Sequence, residues 1–495
     1  MKRRTFMAVA GATLAASSSL LRNSRAWSAA GGELPAFGPD GQQLILGSAD
    51  INDFRSSLRG ELLTAGQDGY EAARHVWNGA FDRRPALIAR CAGTADVIRS
   101  VNFGRAHGLL VAVRGGGHSL SGQSVCNGGL MIDLSPMKSV HVDPDAKNAR
   151  LEPGVLLGQF DREALAFGLA TTAGTVSHTG AAGLTLGGGF GRIGRKFGLA
   201  CDNLHAAEIV TAGGKFLKVS DHENADLLWG LRGGGGNFGV VTSFEYRLYN
   251  VNPIMLGGPL IYPQAQAREV MHFFAEFIAS APDELYVDAA FVPTPDGRRV
   301  LLLDVCYCGA FEAGERVLAP LRSFRKPIVD GVRPTPYVEL QRSADAANPN
   351  GRSYYTKSGF LRRMEPAMID AVVEQMASAP LLNAAVIFAH SGGAISRVKP
   401  SATAFLHREA NHSLLIMGFW DKPADADAAT QWARSTWRAV EPMTQGFYVN
   451  EVTGEDSERR IRVNYGANYE QLVKLKNRYD PTNLLRMNAN VKPTV

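Results

Sequence analysis

The stretch "VAVRGGGHSLSG", residues 111–122, runs from an apolar segment through three consecutive glycines to a histidine. Because glycine has no side chain, a row of glycines lets the backbone approach a ligand closely. Successive N–H groups in such a loop bind anions, phosphates above all. The stretch therefore predicts a strand that ends in a phosphate-binding loop, with His118 beside the bound molecule.

Two more glycine loops follow, at residues 183–191 and 233–239. A literal G-x-G-x-x-G starts in each of them, at Gly189 and at Gly234, and the first match extends to Gly194. The nicotinamide-binding fold that this motif marks needs a strand before the motif and a helix that opens at it. The first match has no clear strand before it and the second is followed by a strand, so neither fits. Three glycine loops in one domain instead predict a dinucleotide that lies along a channel.

The organisation of the chain changes near residue 250. Residues 84–250 alternate short apolar runs with glycine-rich turns and amphipathic helices. Later strands such as "ELYVDAAFV" and "RRVLLLDVCY" are interleaved with helices, which favours an antiparallel sheet with helices on one face. At 495 residues the chain is also too long for one ordinary core. We predict a first domain over 31–250 with its core at 81–251, a second lobe over 251–440, and a terminal segment over 441–495.

The first 30 residues have the pattern of a targeting segment rather than of a folded domain. Arg3 and Arg4 precede a weakly apolar stretch rich in Ala, Gly and Ser, which resembles the twin-arginine export signal of bacteria. An ordinary secretory signal or a membrane anchor is the alternative, although the stretch is short for a span of about 20 residues. We expect export by the twin-arginine route to the periplasm or the cell exterior.

Charge and cysteine content exclude several classes of function. The formal net charge of +5 comes from residues 1–30, which hold five basic residues and no acid. The remaining chain is neutral without a polybasic patch, so we expect no nucleic-acid partner and no membrane contact once the signal is removed. The five scattered cysteines form no CxxC pair, and no HExxH occurs, so we predict no metal site.

The order of these motifs resembles a known family. Residues 81–251 are similar to the FAD-binding domain of the vanillyl-alcohol-oxidase superfamily, and the chain after the signal resembles the berberine-bridge-enzyme-like oxidases. The matching stretches are "RGGGHSLSGQSVCNGGLMIDLS", "GLTLGGGFGRIGRKFGLACDNL", "LRGGGGNFGVVTSFEY", "YVN" and "YGANYEQLVKLKNRYDPTNLLRMN". The resemblance implies an α+β fold: a PCMH-type FAD-binding domain of two α/β subdomains, plus a substrate lobe with an antiparallel sheet and helices.

The resemblance also implies FAD bonded covalently through His118 to the flavin 8α-methyl group. Many relatives carry a second flavin bond from a cysteine, whose position here is Val176, and Cys201 lies outside it; a single bond is therefore expected. The residues expected to bind the cofactor are Arg114, Gly115, Gly116, Gly117, His118, Ser119, Gly122, Thr175, His178, Thr179, Gly180, Gly183, Gly188, Gly189, Gly191, Asn203, Gly239, Val240, Asn450 and Asn488.

The catalytic base departs from the family pattern. Where the plant enzyme that closes the berberine bridge has a glutamate, "GGAISRV" places Arg397. Other relatives use a tyrosine of a "YxNY" motif, which here reads "YVNE", so Tyr448 and Glu451 are both candidates. His178 contacts the ring or the substrate, or is a simple loop histidine. Asn450 and Asn488 hold the cofactor or the domain junction.

Three functions follow from the resemblance. The first is an FAD-linked oxidase of an alcohol, sugar, amine or phenolic molecule, with hydride transfer to flavin N5 and O₂ as acceptor giving H₂O₂. The second is a dehydrogenase on the same fold that passes electrons to another acceptor. The third is a flavin-binding protein without turnover, suggested by the missing glutamate. The first is our prediction; the sequence of the second lobe shows no readable pocket.

Overall fold

The computed structural model describes residues 33–294, 296–379, 383–451 and 458–495. The predicted export signal at residues 1–30 lies outside the described residues. Within these ranges, no helix combines the length and the apolar character that crossing a membrane requires.

The first domain is built from short strands joined by turns and helices. Its strands are β1 (Glu33–Phe37), β2 (Gln43–Gly47), β3 (Glu61–Leu63), β4 (Leu87–Arg90), β5 (Val111–Arg114), β6 (Leu130–Asp133), β7 (Val140–Asp143), β8 (Asn148–Leu151), β9 (Leu169–Ala170), β10 (Leu204–Thr211), β11 (Phe216–Ser220), β12 (Gly239–Arg247) and β13 (Tyr249–Asn250). Its helices are α1 (Ser48–Ser57), α2 (Tyr70–Arg74), α3 (Thr94–Ala106), α4 (Leu157–Leu165), α5 (Ala181–Leu186), α6 (Gly194–Phe197) and α7 (Ala225–Leu231).

Two sheets organise this domain. In the smaller, of order β3-β4-β6-β5, β6 pairs in parallel with both β4 and β5, and α3 supplies the crossover between them. The larger, of order β11-β10-β12-β8-β7, is antiparallel. Val210 and Val240 of the larger sheet share one core with Leu87 of the smaller and Val101 of α3. The domain therefore has two α/β subdomains, as the sequence predicted.

The second lobe is dominated by one large antiparallel sheet. Its strands are β14 (Ile254–Pro263), β15 (Leu285–Pro293), β16 (Arg299–Tyr307), β17 (Val329–Asp330), β18 (Arg333–Pro336), β19 (Ser353–Leu361), β20 (Ala384–His390) and β21 (His412–Trp420). Its helices are α8 (Ala267–Ile278), α9 (Phe311–Ser323), α10 (Tyr337–Arg342), α11 (Pro366–Ala377), α12 (Ala394–Arg397) and α13 (Ala426–Val440). The strand order is β17-β14-β16-β15-β20-β21-β19, with β18 also paired to β14.

The two faces of the large sheet have different surroundings because successive strand side chains point to opposite sides. On β15, Val287 and Ala289 pack in a core with residues of α8, α9, α11 and α13. Asp288 and Ala290, which alternate with them along the strand, face a cavity on the opposite side of the sheet. Helices thus cover one face of the sheet, as predicted, and the other face is left for a ligand.

The terminal segment returns to the first domain. It contains α14 (Glu458–Tyr465) and α15 (Tyr469–Tyr479), and Asp480, directly before Pro481, is the C-cap of α15. Leu472 and Leu475 of α15 pack into the core of the five-stranded sheet. The C-terminal residues are thereby held beside the glycine loops; the exact boundaries at residues 250 and 440 stay predictions.

Candidate active site

A cavity of about 1360 Å³ lies between the first domain and the second lobe. The glycine loops form one wall, the bare face of the large sheet forms another, and Leu485 and Asn488 of the terminal segment contribute a third. Pockets for one small molecule measure about 300–1,000 Å³. The cavity therefore has room for a dinucleotide and a substrate together.

The three glycine loops use their glycines in two ways. A Cβ on Gly116 would lie 2.5 Å from Cα of Gly180, the residue before α5, so the first loop touches the start of the second glycine-rich stretch through backbone alone. Residues 183–186 of the predicted second loop belong to α5, so that loop is confined to residues 187–191. A Cβ on Gly236, in the third loop, would meet nothing within 4 Å, although Gly236 lines the cavity. The first pair brings the loops together, and the third loop leaves open space where a ligand can lie against its backbone.

Most of the residues predicted from the sequence meet in this cavity. Those that line it are Gly115, Gly116, Gly117, His118, Ser119, Thr175, Thr179, Gly180, Gly183, Gly239, Val240, Tyr448, Asn450, Glu451 and Asn488. Those outside its lining are Arg114, Gly122, His178, Gly188, Gly189, Gly191 and Asn203.

Three of the outlying residues hold the protein rather than face the cavity. A Cβ on Gly191 would lie 2.0 Å from the carbonyl oxygen of Ala173, and one on Gly122 would strike the ring of Phe81. The amide of Asn203 donates to the carbonyl oxygens of Phe197 and Leu199. These close contacts within the protein give each residue a packing role.

Arg114, Gly188 and Gly189 lie one layer behind the lining. The Arg114 guanidinium pairs with Asp133 at 3.8 Å and packs directly under Gly117, supporting the first loop. A Cβ on Gly188 would lie 2.9 Å from the ring of Phe405. The Gly189 N–H donates to the hydroxyl of a lining residue described below. Their influence on the cavity is therefore indirect.

His118 lies where the glycine channel opens onto the sheet. Its ring stacks on Trp77 with centroids 4.2 Å apart, Trp77 stacks in turn on Tyr354 of β19 at 4.2 Å, and His178 approaches His118 at 5.1 Å. Burial, reinforced by His178, lowers the pKa of His118 to about 3. The imidazole is consequently neutral at physiological pH and keeps a lone pair for bonding.

The residues of the channel fit FAD. Nε2 of His118 and Oδ1 of Asn488 are both buried in residues that line the cavity, and neither has a hydrogen-bond partner within the described part of the chain. The backbone of the glycine loops supplies neutral N–H groups of the kind that bind a pyrophosphate. FAD combines a pyrophosphate with a polar ring system, which matches this donor set.

Tyr448 lies beside the second glycine loop. Its Oη accepts hydrogen bonds from the Gly189 N–H and from Nδ2 of Asn450, each at 2.9 Å. Burial, followed by the nearby Glu451, raises the pKa of Tyr448 well above its usual range. With both acceptor positions of the hydroxyl engaged, the neutral side chain has only its proton left to offer.

Glu451 is a buried carboxyl group on the same side of the cavity. Its only side-chain hydrogen bond within the described residues comes from Oγ of Ser413 to Oε2, at 3.3 Å. Burial raises the pKa of Glu451 to about 8. It therefore changes charge near neutral pH, which suits a general base better than an ordinary surface carboxylate does.

Several lining residues were missed by the sequence reasoning. Asp288 and Asp304 are direct register partners on β15 and β16, and both face the cavity. Arg192, from the loop that follows α5, is fully buried and pairs with Asp304. The sequence did contain a signal for the two aspartates, since each is a single carboxylate within the apolar part of its strand. Trp77 carried no such signal.

Cysteine and Arg397 lie away from the cavity. Val176 lines it, and among the described residues no cysteine does. Cys201 is completely buried in a cluster with Phe190 and Phe405, behind the lining of the cavity. The Arg397 side chain is exposed and pairs with Asp283 at 2.6 Å. The position that the sequence comparison assigned to the missing glutamate is thus not part of this site.

Known proteins share both the sequence and the fold of this chain. Models of the FAD binding domain and of berberine and berberine-like proteins match residues 85–220 and 448–492. An FAD-linked oxidoreductase of Dictyostelium discoideum is 33% identical over 448 residues, which cover 90% of this chain and 97% of the relative. The structure of 6-hydroxy-D-nicotine oxidase from Arthrobacter nicotinovorans matches with a TM-score of 0.80 at 28% identity, over 88% of this chain and 98% of that one. Chitooligosaccharide oxidase matches with a TM-score of 0.80 at 25% identity, over 90% and 100%.

Proposed function

This chain belongs to the berberine-like family of FAD-linked oxidoreductases, and on that premise we propose that it is an oxidase of a small molecule, with O₂ as the acceptor. The family, the enzyme class, the cofactor FAD and the α+β fold are as the sequence predicted. The observation that carries the proposal is the position of His118, at the point where the glycine channel opens onto the bare face of the large sheet.

When bound, FAD would supply the redox chemistry, as the acceptor of a hydride from a substrate carbon that O₂ would reoxidise with release of H₂O₂. The protein holds this cofactor through the backbone N–H groups of the glycine loops and, in the proposal, through one covalent bond to His118. The neutral imidazole and the stacking of Trp77 on its ring support that bond. Val176, where many relatives have cysteine, offers no nucleophile for a second one.

The geometry favours Glu451 over Tyr448 as the base that removes the substrate proton. Tyr448 already accepts two hydrogen bonds, so its neutral hydroxyl serves as a donor that orients the substrate. Glu451 accepts one long hydrogen bond and retains its other oxygen for a substrate proton. Asn450 holds Tyr448 in place, since its amide donates to the Tyr448 hydroxyl and to the carbonyl oxygen of Leu184.

The related oxidases named above act on a nicotine derivative and on chitooligosaccharides, according to their names. Alcohols, sugars, amines and phenolic molecules are accordingly the substrate classes to screen. Export by the twin-arginine route remains part of the proposal, on the strength of Arg3 and Arg4.

The test has two parts. Purified protein should be yellow, and a screen of the four substrate classes should detect H₂O₂ release. After acid precipitation and protease digestion, the flavin should be on one peptide, which contains His118. The variant His118→Ala should lose its flavin under acid while it still binds FAD in neutral buffer, and the exposed control His222→Ala should behave as wild type. Colourless protein that takes up no FAD, or a flavin-bearing peptide around Cys201, would contradict the proposal.

A further inference from the structure

The floor of the cavity is divided into an acidic end and an apolar strip. Asp304, Asp288 and Ser413 lie in one row across the sheet. Asp288 pairs with Asp304 on one side, and on the other side the register of β15 and β20 places it opposite Ala389, which pairs with Ser413. Strands are about 4.8 Å apart, so the row from Asp288 to Ser413 spans about 10 Å. Glu451 closes its far end through its bond to Ser413.

The next rows along the strands are apolar. One step further, Leu302, Ala290, Ile387 and Leu415 are register neighbours that face the cavity. Beyond them lie Val292, Ala385 and Met417. Each row adds about 7 Å along the strands. A ligand on this floor therefore meets carboxyl groups at one end and hydrocarbon over the rest of its length.

Positive charge on the protein is already engaged at the acidic end. Arg192 bonds to Asp304 and, through its other nitrogen, to Ser343 at 3.0 Å. Arg352 pairs with Asp421, and the third arginine of the lining, Arg333, is an exposed residue of β18. Asp288 and Glu451 form no ion pair within the described residues, and no lysine lines the described part of the cavity.

Asp288 is positioned to receive a cation. Its oxygens accept hydrogen bonds from the Tyr286 hydroxyl at 2.5 Å and from the His390 N–H at 2.9 Å, which fix the carboxyl group and leave acceptor positions unused. Burial raises the pKa of Asp288 to about 7. Arg192 is near enough to lower this pKa by its charge, but its nitrogens bond to Asp304 and Ser343 rather than to Asp288. A positive ligand stabilises the buried carboxylate further by pairing with it directly.

We propose that the substrate is an amine with an apolar body, whose ammonium group binds Asp288 while its hydrocarbon part lies on the apolar strip. The inference rests on the proposed oxidase function. In that reaction the ammonium, held by Asp288, gives one N–H proton to Glu451, the proposed base, which is close enough to Asp288 for their charges to interact. The adjacent carbon gives a hydride to the bound flavin, and an iminium ion is released. A sugar fits this floor poorly, because its hydroxyl groups would find no partners along the apolar rows.

The test compares three probes on the yellow protein without O₂, by perturbation of the flavin spectrum at pH ~9, where the carboxylate form of Asp288 predominates. The probes are benzyltrimethylammonium, benzyl alcohol and cellobiose. We expect the cation to bind about 10-fold or more tightly than benzyl alcohol, because its charge attracts the ionised carboxyl group in a site of low dielectric, although it donates no hydrogen bond. Asp288→Asn should remove this difference, and the exposed cavity-margin control Glu339→Gln should retain it.

Cellobiose as the tightest probe, or equal binding of the cation and benzyl alcohol by wild type, overturns the proposal. Equal loss of both aromatic probes in Asp288→Asn also overturns it, because it shows general distortion rather than charge recognition. If that variant does not fold, the relative affinities of the three probes for the wild-type protein decide whether the proposal holds. A flavin-loaded protein that oxidises sugars and ignores the cation refutes the amine alone, whereas a protein without flavin refutes the proposed function.

Discussion

Lys476→Met should destabilise the first domain strongly, because Lys476 and Asp480 form an ion pair in which both side chains are fully buried. The three ammonium hydrogens of Lys476 are all used, by Asp480 at 2.7 Å and by the carbonyl oxygens of Asn237 and Leu485 at 3.0 Å. These bonds tie α15 to the third glycine loop and to the C-terminal residues along the channel.

Within the described part of the chain, the substitution leaves the buried Asp480 carboxyl group with only the N–H groups of Leu484 and Leu485 as partners. Removal of one member of a buried pair costs about 3–5 kcal/mol. For a domain of some 200 residues each kcal/mol lowers the Tm by about 2–4 °C, so we expect a fall of roughly 10 °C. Differential scanning calorimetry at several scan rates measures it, since unfolding of a large chain is often irreversible.

Lys474→Met is the matched control, because Lys474 lies on the same helix and is exposed. It should leave the Tm within about 2 °C of wild type. If Lys476→Met also stays within that limit, the ion pair does not hold the terminal segment, and the reasoning about this contact is wrong.

Two further outcomes are expected. Glu451→Gln should slow flavin reduction by a substrate found in the screen by about 10²–10⁴-fold with FAD still bound. Because a base must be deprotonated, the wild-type rate of flavin reduction should rise with pH through the Glu451 pKa of about 8, and this rise should be absent in Glu451→Gln. Tyr448→Phe should slow flavin reduction by about 10-fold or less. A larger loss in Tyr448→Phe than in Glu451→Gln would assign the base to Tyr448. Arg3→Lys combined with Arg4→Lys should leave folded, yellow protein in the cytoplasm, as cell fractionation would show; unchanged export would favour the ordinary secretory route.

Local patterns were sufficient to predict much of the fold. Residues 111–114 form the strand and 115–117 the loop that the opening stretch indicated. Alternation along "ELYVDAAFV" predicted an antiparallel sheet with helices on one face, which the structure confirms, but not the cavity on the other face. These features are determined by residues close together in the chain, so the sequence alone is enough to predict them.

Glycine was the weaker guide to the site. Gly116 and Gly191 have the same sequence signal, a glycine in a glycine-rich loop, but Gly191 makes room for the backbone of Ala173 and does not line the cavity. A glycine in the sequence indicates that another group lies close to its backbone, but not whether that group belongs to a ligand or to the protein itself. The stack of His118, Trp77 and Tyr354 was also out of reach, because it joins three segments far apart in sequence.

The alternation of the large sheet also bears on how this protein can diverge. Side chains that stabilise the lobe point towards the helices, and side chains that meet the substrate point away from them, so a mutation on one face perturbs the other little. Substrate preference can therefore change by mutation, in evolution or in the laboratory, with little effect on the stability of the fold. A combinatorial library for altered specificity belongs at the apolar cavity-facing positions Ala290, Val292, Leu302, Ala385, Ile387, Leu415 and Met417.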